Sequence, residues 1–510
     1  VISNKKSAKF ILFIFLPLVI VFIIFLLSKE FREHFIKKFS PFSVLSYADL
    51  VTLSKPVQHS QDLLLKLDKQ LSVPYIFNRN PFVENYKYNK SYLRLSHWNI
   101  ERGINLNAIK NVFNNSRNYY YSYRGNLEDA KHGSFKKELE TISNSDIIAI
   151  NESDIGMSRT QYRNIISELA KTLNYNFAFA TEFIELSPII NMHSLDPKRY
   201  LGLHGSAILS KYPIKNAYVI RLPQCYKWFE SEIGKQSPVE SARRYGAKTI
   251  FNQEIQNEVR RGGRCALVAN INLPGNEIIT VVSTHLEDRC YPDCRYNQIN
   301  YLFEKLKNYQ TPLVIAGDLN TSTTDSAPTS LKKEVKKRLM DRDFVARQIA
   351  LFLIPVGIPI PGLTNLASVA LSKAFQYKDP AFPNIPVFFP NHERKLFKYI
   401  KDFQFADGET FDVRGDSDRS FNGKRGLLAN SNERHLKGFE STFKFVEPRI
   451  IAYYKLDWFF VKPKNKRFEP FNGQTLKLVN ESYLSRISDH DPITVDLTLA
   501  RDQKITIAGN

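Results

Sequence analysis

The chain has 510 residues, 43% apolar and 24% charged, which excludes a wholly disordered polymer and suits about three domains or one large domain with insertions. Its net charge of +20 draws it toward polyanions such as nucleic acid, anionic lipid or phosphorylated substrates, without choosing among them. The four cysteines come with no histidine pair or second close cysteine pair, which argues against a zinc cluster. Cys290 and Cys294 are close enough to close a small loop in an oxidising compartment, a bond the spacing permits but does not require.

Residues Phe10 to Leu27 are apolar throughout, with Lys5, Lys6 and Lys9 before them and Lys29 and Arg32 after. At 1.5 Å per residue the run just crosses a hydrocarbon core of about 30 Å. No Ala-x-Ala follows it, so an uncleaved single-pass anchor (residues 1–29) is expected rather than a signal peptide. A short basic N-terminus stays cytoplasmic by the charge rule, which puts the large domain on the extracytoplasmic side. Residues 30–90 read as a stalk or packing segment, with a helix at Gln61–Leu71 whose stripe is Leu63, Leu64, Leu67 and Leu71.

The main domain is expected over residues 91–500. Tyr92–Asn99 alternates as a strand and runs into Asn99-Ile100-Glu101-Arg102-Gly103. The tyrosine-rich stretch Asn114–Gly125 reads as a loop, and Phe135–Ile142 as a helix. Asp146–Glu152 is a buried strand with a carboxylate at its end. Gln161–Leu173 reads as a helix, and Ala207–Leu209 and Tyr218–Leu222 as short strands. Arg260-Arg261-Gly262-Gly263-Arg264 is a basic, glycine-hinged turn, either a grip for phosphate or a solvated hairpin. It enters the strand Cys265–Ile271. Glu277–Thr284 is the next strand, followed by His285, and Asn297–Leu306 is a helix.

Leu313–Ala316 is a fully apolar strand that ends in Gly317-Asp318-Leu319-Asn320. Asp318 and Asn320 lie two apart, so in extended geometry they point the same way. Ile349–Leu371 is an uncharged apolar insertion broken by Pro355, Pro359 and Pro361. Lys332, Lys333, Lys336, Lys337, Arg338, Arg342 and Arg347 flank it, which suits either contact with an anionic membrane or a buried loop. Tyr453–Val461 is a strand carrying Asp457, and Asp489-His490-Asp491-Pro492 precedes the closing strand Thr494–Leu499.

Six strand ends thus carry polar groups: Asn99 with Glu101, Glu152, His285, Asp318 with Asn320, Asp457, and Asp489 with His490. Taken singly, each is a common turn or cap residue. Their order, within Trp98-Asn99-Ile100-Glu101, Asn151-Glu152, Gly205–Ile214, Ser283-Thr284-His285-Leu286, Gly317-Asp318-Leu319-Asn320, Leu456-Asp457-Trp458-Phe459 and Ser488–Ile493, resembles the endonuclease/exonuclease/phosphatase superfamily. That superfamily includes DNase I, abasic-site endonucleases, neutral sphingomyelinases and inositol polyphosphate 5-phosphatases.

The resemblance implies a four-layer α/β/β/α sandwich and Mg²⁺-dependent cleavage of a phosphate ester, with Mn²⁺ as the alternative ion. By the same resemblance Asn99, Glu101, Glu152 and Asp489 supply or support the metal ligands, oxygen donors being what such a hard cation takes. Asp318 orients or deprotonates water, Asn320 donates to phosphate, and Asp457 fixes His490. His285 contacts phosphate or protonates the leaving oxygen. Whether Asp318 or His490 is the base stays open.

The Pro-Ala-Trp-x-Asp-Arg signature of 5-phosphatases is absent near Leu456-Asp457-Trp458. Asn151–Thr160 resembles a membrane-linked bacterial branch, and Arg159, Arg261 and Arg264 are the candidates for a branch-specific substrate pocket. The expected substrates are lipid or head-group phosphates, or else DNA or RNA. No protein partner is expected. The reading of another class is a catalytically inert, membrane-tethered scaffold, whose mark would be the loss of one or more polar strand ends.

Overall fold

A computed structural model describes residues 42–79, 88, 90–190, 195–234, 258–321, 394–412, 439, 442–446, 450–465, 467–483 and 486–499. The expected anchor at Phe10–Leu27 and the apolar insertion Ile349–Leu371 lie outside these. Among the described residues no helix is long and apolar enough to cross a membrane.

Fifteen strands form among the described residues. They are β1 (Tyr75–Phe77), β2 (Tyr92–Arg102), β3 (Ile147–Ile155), β4 (Asn176–Glu185), β5 (Leu203–Ser210), β6 (Ile214–Arg221), β7 (Arg260–Gly262), β8 (Cys265–Leu273), β9 (Glu277–His285), β10 (Leu313–Asp318), β11 (Phe443–Val446), β12 (Ile450–Tyr454), β13 (Asp457–Lys462), β14 (Pro470–Thr475) and β15 (Ile493–Thr498). One sheet has the order β1-β4-β5-β3-β2-β15-β14, with β7 also on β4. A second runs β13-β10-β9-β8-β6, and β11 and β12 make a small pair of their own.

Side-chain alternation explains the layers. On β3, Ile147 and Ala149 face the second sheet, while Ile148 and Ile150 face the helices Leu106–Asn114, His132–Ser143 and Ile165–Leu173. On β10, Val314 and Ala316 face the first sheet, whereas Leu313 and Ile315 meet the helices Pro292–Leu306 and Arg394–Asp402. The uninterrupted apolar runs read from sequence are thus central strands covered on both faces. The result is an α/β sandwich of two packed sheets with helices on both outer sides.

Several elements differ from expectation. The tyrosine-rich stretch is helical over Ser116–Tyr123, because Tyr119 is buried against Phe135 and Tyr123. The helix expected from Gln161 begins at Ile165, with Asn164 as its side-chain cap, since Gln161 and Tyr162 take left-handed backbone angles. The strand expected over Tyr453–Val461 is divided between β12 and β13. Lys477–Glu481 is a short helix. Residues 42–79 pack on the domain: Leu50, Leu53 and Leu63 join its core and β1 extends the first sheet. Cys294 pairs with Cys225 rather than with Cys290, joining the loop after β6 to the helix before β10.

Candidate active site

The parallel register of β9 and β10 sets His285 opposite Asp318, and the antiparallel register of β10 and β13 sets Asp457 opposite Asp318. Three polar groups thereby stand side by side at one rim of the second sheet. Gly317 makes the close pairing feasible, because a Cβ there would sit 1.9 Å from the Thr284 carbonyl oxygen. From the first sheet, β2 and β3 bring Asn99 and Glu152 to the same rim: Asn99 Nδ2 donates to Glu152 Oε1 and to Asp318 Oδ2, each at 3.2 Å.

Irregular backbone aims these groups. The β2–β3 register shifts between Asn99 and Arg102, and the β3–β5 register shifts between Ile150 and Ser153. Glu101, Arg102, Glu152 and Asn320 have φ of 46°, 65°, 54° and 50°. Left-handed backbone costs a residue bearing a Cβ about 1–2 kcal/mol, and such outliers concentrate at functional sites. A bulge allows neighbouring residues to serve one place. Thus Asn151 Oδ1 accepts from Asp318 N (2.9 Å) while Glu152 meets Asn99.

Asp318 is the hub. Its Oδ2 lies 3.6 Å from both His285 Nε2 and His490 Nε2, and its Oδ1 accepts from Asn320 N at 2.8 Å. His490 Nδ1 is 2.8 Å from Asp457 Oδ2, and its carbonyl accepts from Trp98 Nε1. Asp457 Oδ1 takes a second histidine, His97 Nε2, at 2.9 Å. On the other flank Asp489 N donates to Glu101 Oε2 (3.1 Å), and Ser488 Oγ donates to Asn99 O (2.6 Å).

The electrostatics divide the site in two. Burial works against the His490 imidazolium, yet the Asp457, Asp318 and Asp489 carboxylates outweigh it and hold its pKa well above the usual histidine range. Burial also raises Asp457, but His490 and His97 more than reverse this and keep it ionised. Asp318 is pushed up to about 7, by burial and by the Asp457 charge, against the pull of His490. Glu101 is likewise pushed up to about 7, by burial and by the Asp489 and Glu152 charges. Glu152 is lowered despite its burial, under the influence of His204, Arg102, His490 and Arg264.

The Asp489 and Glu152 charges act on Glu101, and the Glu152 charge on Asp489, a repulsion that a hard divalent cation would relieve. The carboxylate oxygens of these three residues, with the amide oxygen of Asn99, are the donor type such an ion takes. Asp318, Asp457 and His490 also bring ligand atoms within 4.8 Å of one another. There, however, the bond between His490 and Asp457 already balances charge within the group, so the excess negative charge lies with Glu101, Glu152 and Asp489.

The three arginines expected in a substrate pocket are committed to protein partners. Arg159 forks onto Asp154 at 2.7 and 2.9 Å, and Asp154 also holds His204. Arg261 lies over the Phe229 ring, 3.3 Å from its centroid, and donates to the Leu53 carbonyl. The turn itself is partly a strand: β7 pairs with β4, and Arg260 bonds to Glu185. Only Arg264 reaches the site, donating to Glu182 Oε2 (3.1 Å), Asp288 Oδ1 (3.2 Å) and His285 Nδ1 (2.8 Å).

Sequence reasoning missed His97, Asn151, Glu182 and Ser206. His97 was within reach: it precedes Asn99 by two on the same strand, so both lean toward the same rim. Glu182 carries no local signal, because β4 was not anticipated.

A buried Asp–His couple thus lies beside a group of carboxylates on the rim of the two packed sheets. A model described as the endonuclease/exonuclease/phosphatase family matches residues 97–490, and the chain belongs to that family, a class of metal-dependent phosphoric ester hydrolases. Among solved structures it is similar to an endonuclease/exonuclease/phosphatase from Beutenbergia cavernae DSM 12333, at 14% identity and TM-score 0.38, covering 81% of this chain and 72% of that one. It is similar to the human Nocturnin catalytic domain with bound sulfate at 13% identity and TM-score 0.37, covering 80% and 93% of the two chains. It also resembles the mannosyl-6-phosphatase Bt3783 of Bacteroides thetaiotaomicron VPI-5482 at 11% identity and TM-score 0.35, covering 79% and 99%. No curated protein sequence matches the chain.

Proposed function

We propose that this protein is a membrane-anchored, Mg²⁺-dependent phosphoesterase that hydrolyses a lipid or head-group phosphate by attack of water. The position of Asp318 carries the reading, between two histidines and beside Asn99. Glu101, Glu152, Asp489 and Asn99 are the residues that would hold Mg²⁺, or Mn²⁺ in its place. The bound ion supplies charge neutralisation at a phosphate oxygen. Asp318, with a proton affinity near neutrality, takes the proton of the attacking water. His490, kept cationic by Asp457, stands opposite the building negative charge and serves as donor rather than base.

The eighteen-residue apolar run Phe10–Leu27 supports the anchor. The Cys225–Cys294 bond supports an extracytoplasmic catalytic domain, because disulfides persist in oxidising compartments. The apolar insertion around 349–371, with its basic flank, supports a lipid surface as the working environment.

A nucleic-acid substrate is the second reading, and the net charge of +20 favours it. Binding would then weaken steeply with salt. Parallel assays on phospholipid vesicles and on plasmid DNA, each with Mg²⁺ and with EDTA, separate the two. Metal-independent turnover of both would sink the mechanism. An inert scaffold is disfavoured because every polar strand end is retained, and an Asp318→Ala, His490→Ala protein with full biological activity would revive it.

A further inference from the structure

Behind the site runs a ring of polar contacts that links both sheets. Asp318 N donates to Asn151 Oδ1 (2.9 Å), and Asn151 Nδ2 donates to Ser206 Oγ (2.8 Å). Ser206 Oγ donates to Glu182 Oε1, and Glu182 Oε2 accepts from Arg264 Nη1 (3.1 Å). The same Nη1 meets His285 Nδ1 at 2.8 Å, and His285 Nε2 lies 3.1 Å from Asn320 Nδ2. Asn320 N closes the ring on Asp318 Oδ1 (2.8 Å). Asn151, Ser206, Glu182, Arg264, His285 and Asp318 are all buried.

The direction of two of these contacts carries a consequence. Both ring nitrogens of His285 face a donor, and a neutral imidazole can accept at only one; the guanidinium contact at Nδ1 is the shorter (2.8 Å against 3.1 Å) and is charge-assisted, which assigns the acceptor to Nδ1 and the ring proton to Nε2. Asn320 Nδ2 is also a donor, since it bonds to the Leu286 carbonyl at 2.9 Å. Two donors 3.1 Å apart cannot satisfy each other. They can share a third atom, and that atom must be an acceptor.

We propose that Arg264, braced by Glu182, is a positioning residue that fixes His285 in the Nε2–H tautomer, so that the phosphate contact the family resemblance implies for His285 and Asn320 is made by two neutral donors to one oxygen. His285 then stabilises charge and does not protonate the leaving oxygen. The two histidines that flank Asp318 divide the work by their Nδ1 neighbours: a carboxylate at His490 makes a cation, and a guanidinium at His285 makes a neutral donor. Burial and the Arg264 charge, which both disfavour an imidazolium at His285, agree with the geometry. The inference rests on the phosphoesterase reading for its substrate, but not for its tautomer.

Nitrogen NMR of the unmutated, full-length, cation-free protein with ¹⁵N-labelled histidine reads the tautomer directly, with His285 assigned by its loss in His285→Gln. A protonated Nε2 with a bare Nδ1 is expected, and Arg264→Lys, which keeps a donor at that position, should preserve it. A proton on Nδ1, alone or together with Nε2, overturns the assignment of Arg264. In protein labelled with ¹⁵N at both histidine and asparagine, addition of inorganic phosphate should shift the Nε2 resonance and the Asn320 side-chain amide together, and movement of neither overturns the two-donor contact.

Turnover tests the role. His285→Gln should lower kcat by about 10²–10³-fold, as loss of one donor to a developing oxyanion does. The deficit should be the same for a p-nitrophenyl ester as for an alkyl phosphate ester. A deficit that vanishes with the activated leaving group identifies a general acid and overturns the donor role. If the unmutated protein hydrolyses no phosphate ester, the proposed function fails, while the tautomer and the phosphate shifts still decide this inference.

Discussion

Asp457 Oδ1 lies 2.9 Å from Nε2 of His97, a histidine wholly enclosed on β2. The contact ties the first sheet to the second and leaves Oδ2 of the same carboxylate for His490. Replacing His97 by Phe leaves a buried carboxylate oxygen without its donor, a loss of about 1–3 kcal/mol. Activity should fall about tenfold or more as the His490 imidazole loses its fixed orientation, much as removal of an orienting group behind a ligand histidine does. Urea midpoints and kcat/KM measured together check both, and unchanged values in both would show the pair to be incidental.

Asp318→Asn keeps the size of the side chain and removes the proton acceptor. Its kcat should drop by at least about 10²-fold, at the scale of general acid–base contributions, with the thermal midpoint held or raised. The midpoint matters because a buried carboxyl titrating at about 7 is a burden on the fold at higher pH. A fully active Asp318→Asn protein would assign the base elsewhere.

Glu101 makes cation binding pH-dependent. In the cation-free protein Glu101 and Asp318 titrate at about 7, against about 4 in an unfolded chain. Between those limits the folded protein holds protons that the unfolded chain has released, so stability falls as pH rises from about 4 to about 7. His490, raised in the fold, continues the same trend above its unfolded value. Glu152 and Asp457, both lowered, act in the opposite sense and only below about pH 4. A divalent cation competes with the Glu101 proton, so its affinity should rise with pH through about 7. Thermal midpoints with EDTA and with Mg²⁺ should therefore diverge more at pH 8 than at pH 5.5, and the divergence should shrink in Glu101→Gln.

Gly317→Ala tests the close approach of β9 and β10. A Cβ placed 1.9 Å from the Thr284 oxygen forces the two strands apart where His285 and Asp318 face each other. The expected loss is about 3 kcal/mol, the upper end of overpacking changes, with activity falling alongside. Chemical denaturation measures it, and a loss below 1 kcal/mol would mean that the strands yield freely.

The Cys225–Cys294 bond closes a loop across 69 residues of sequence. Its removal in Cys225→Ser, or by dithiothreitol, should lower stability by about 2–4 kcal/mol. A protein made in a reducing cytosol should show the same lower midpoint. Peptide mapping that found Cys294 joined to Cys290 would contradict the pairing.

The strand ends were legible because catalysis places polar residues where apolar runs stop. Leu313–Ala316 followed by Asp318, and Ile147–Ile150 followed by Glu152, announce both a central strand and its outlet. Three things were hidden for distinct reasons. The left-handed angles at Glu101 and Glu152 fall where the strand register shifts, and that at Asn320 just past the end of β10, and none of these positions is a glycine. The helix at Ser116–Tyr123 is held by tertiary burial of aromatics that read locally as a polar loop. Arg159 and Arg261 looked like phosphate grips because a charge count does not show that Asp154 and the Leu53 carbonyl already occupy them.

The ring through Asn151, Ser206 and Glu182 on one sheet, His285 and Asp318 on the other and Arg264 in the link from β7 to β8 makes the site a property of the interface between the sheets. Neither sheet alone holds a working set of groups. Recovery of turnover during refolding therefore times the docking of the two halves, and a chain with correct secondary structure but undocked sheets is a silent enzyme.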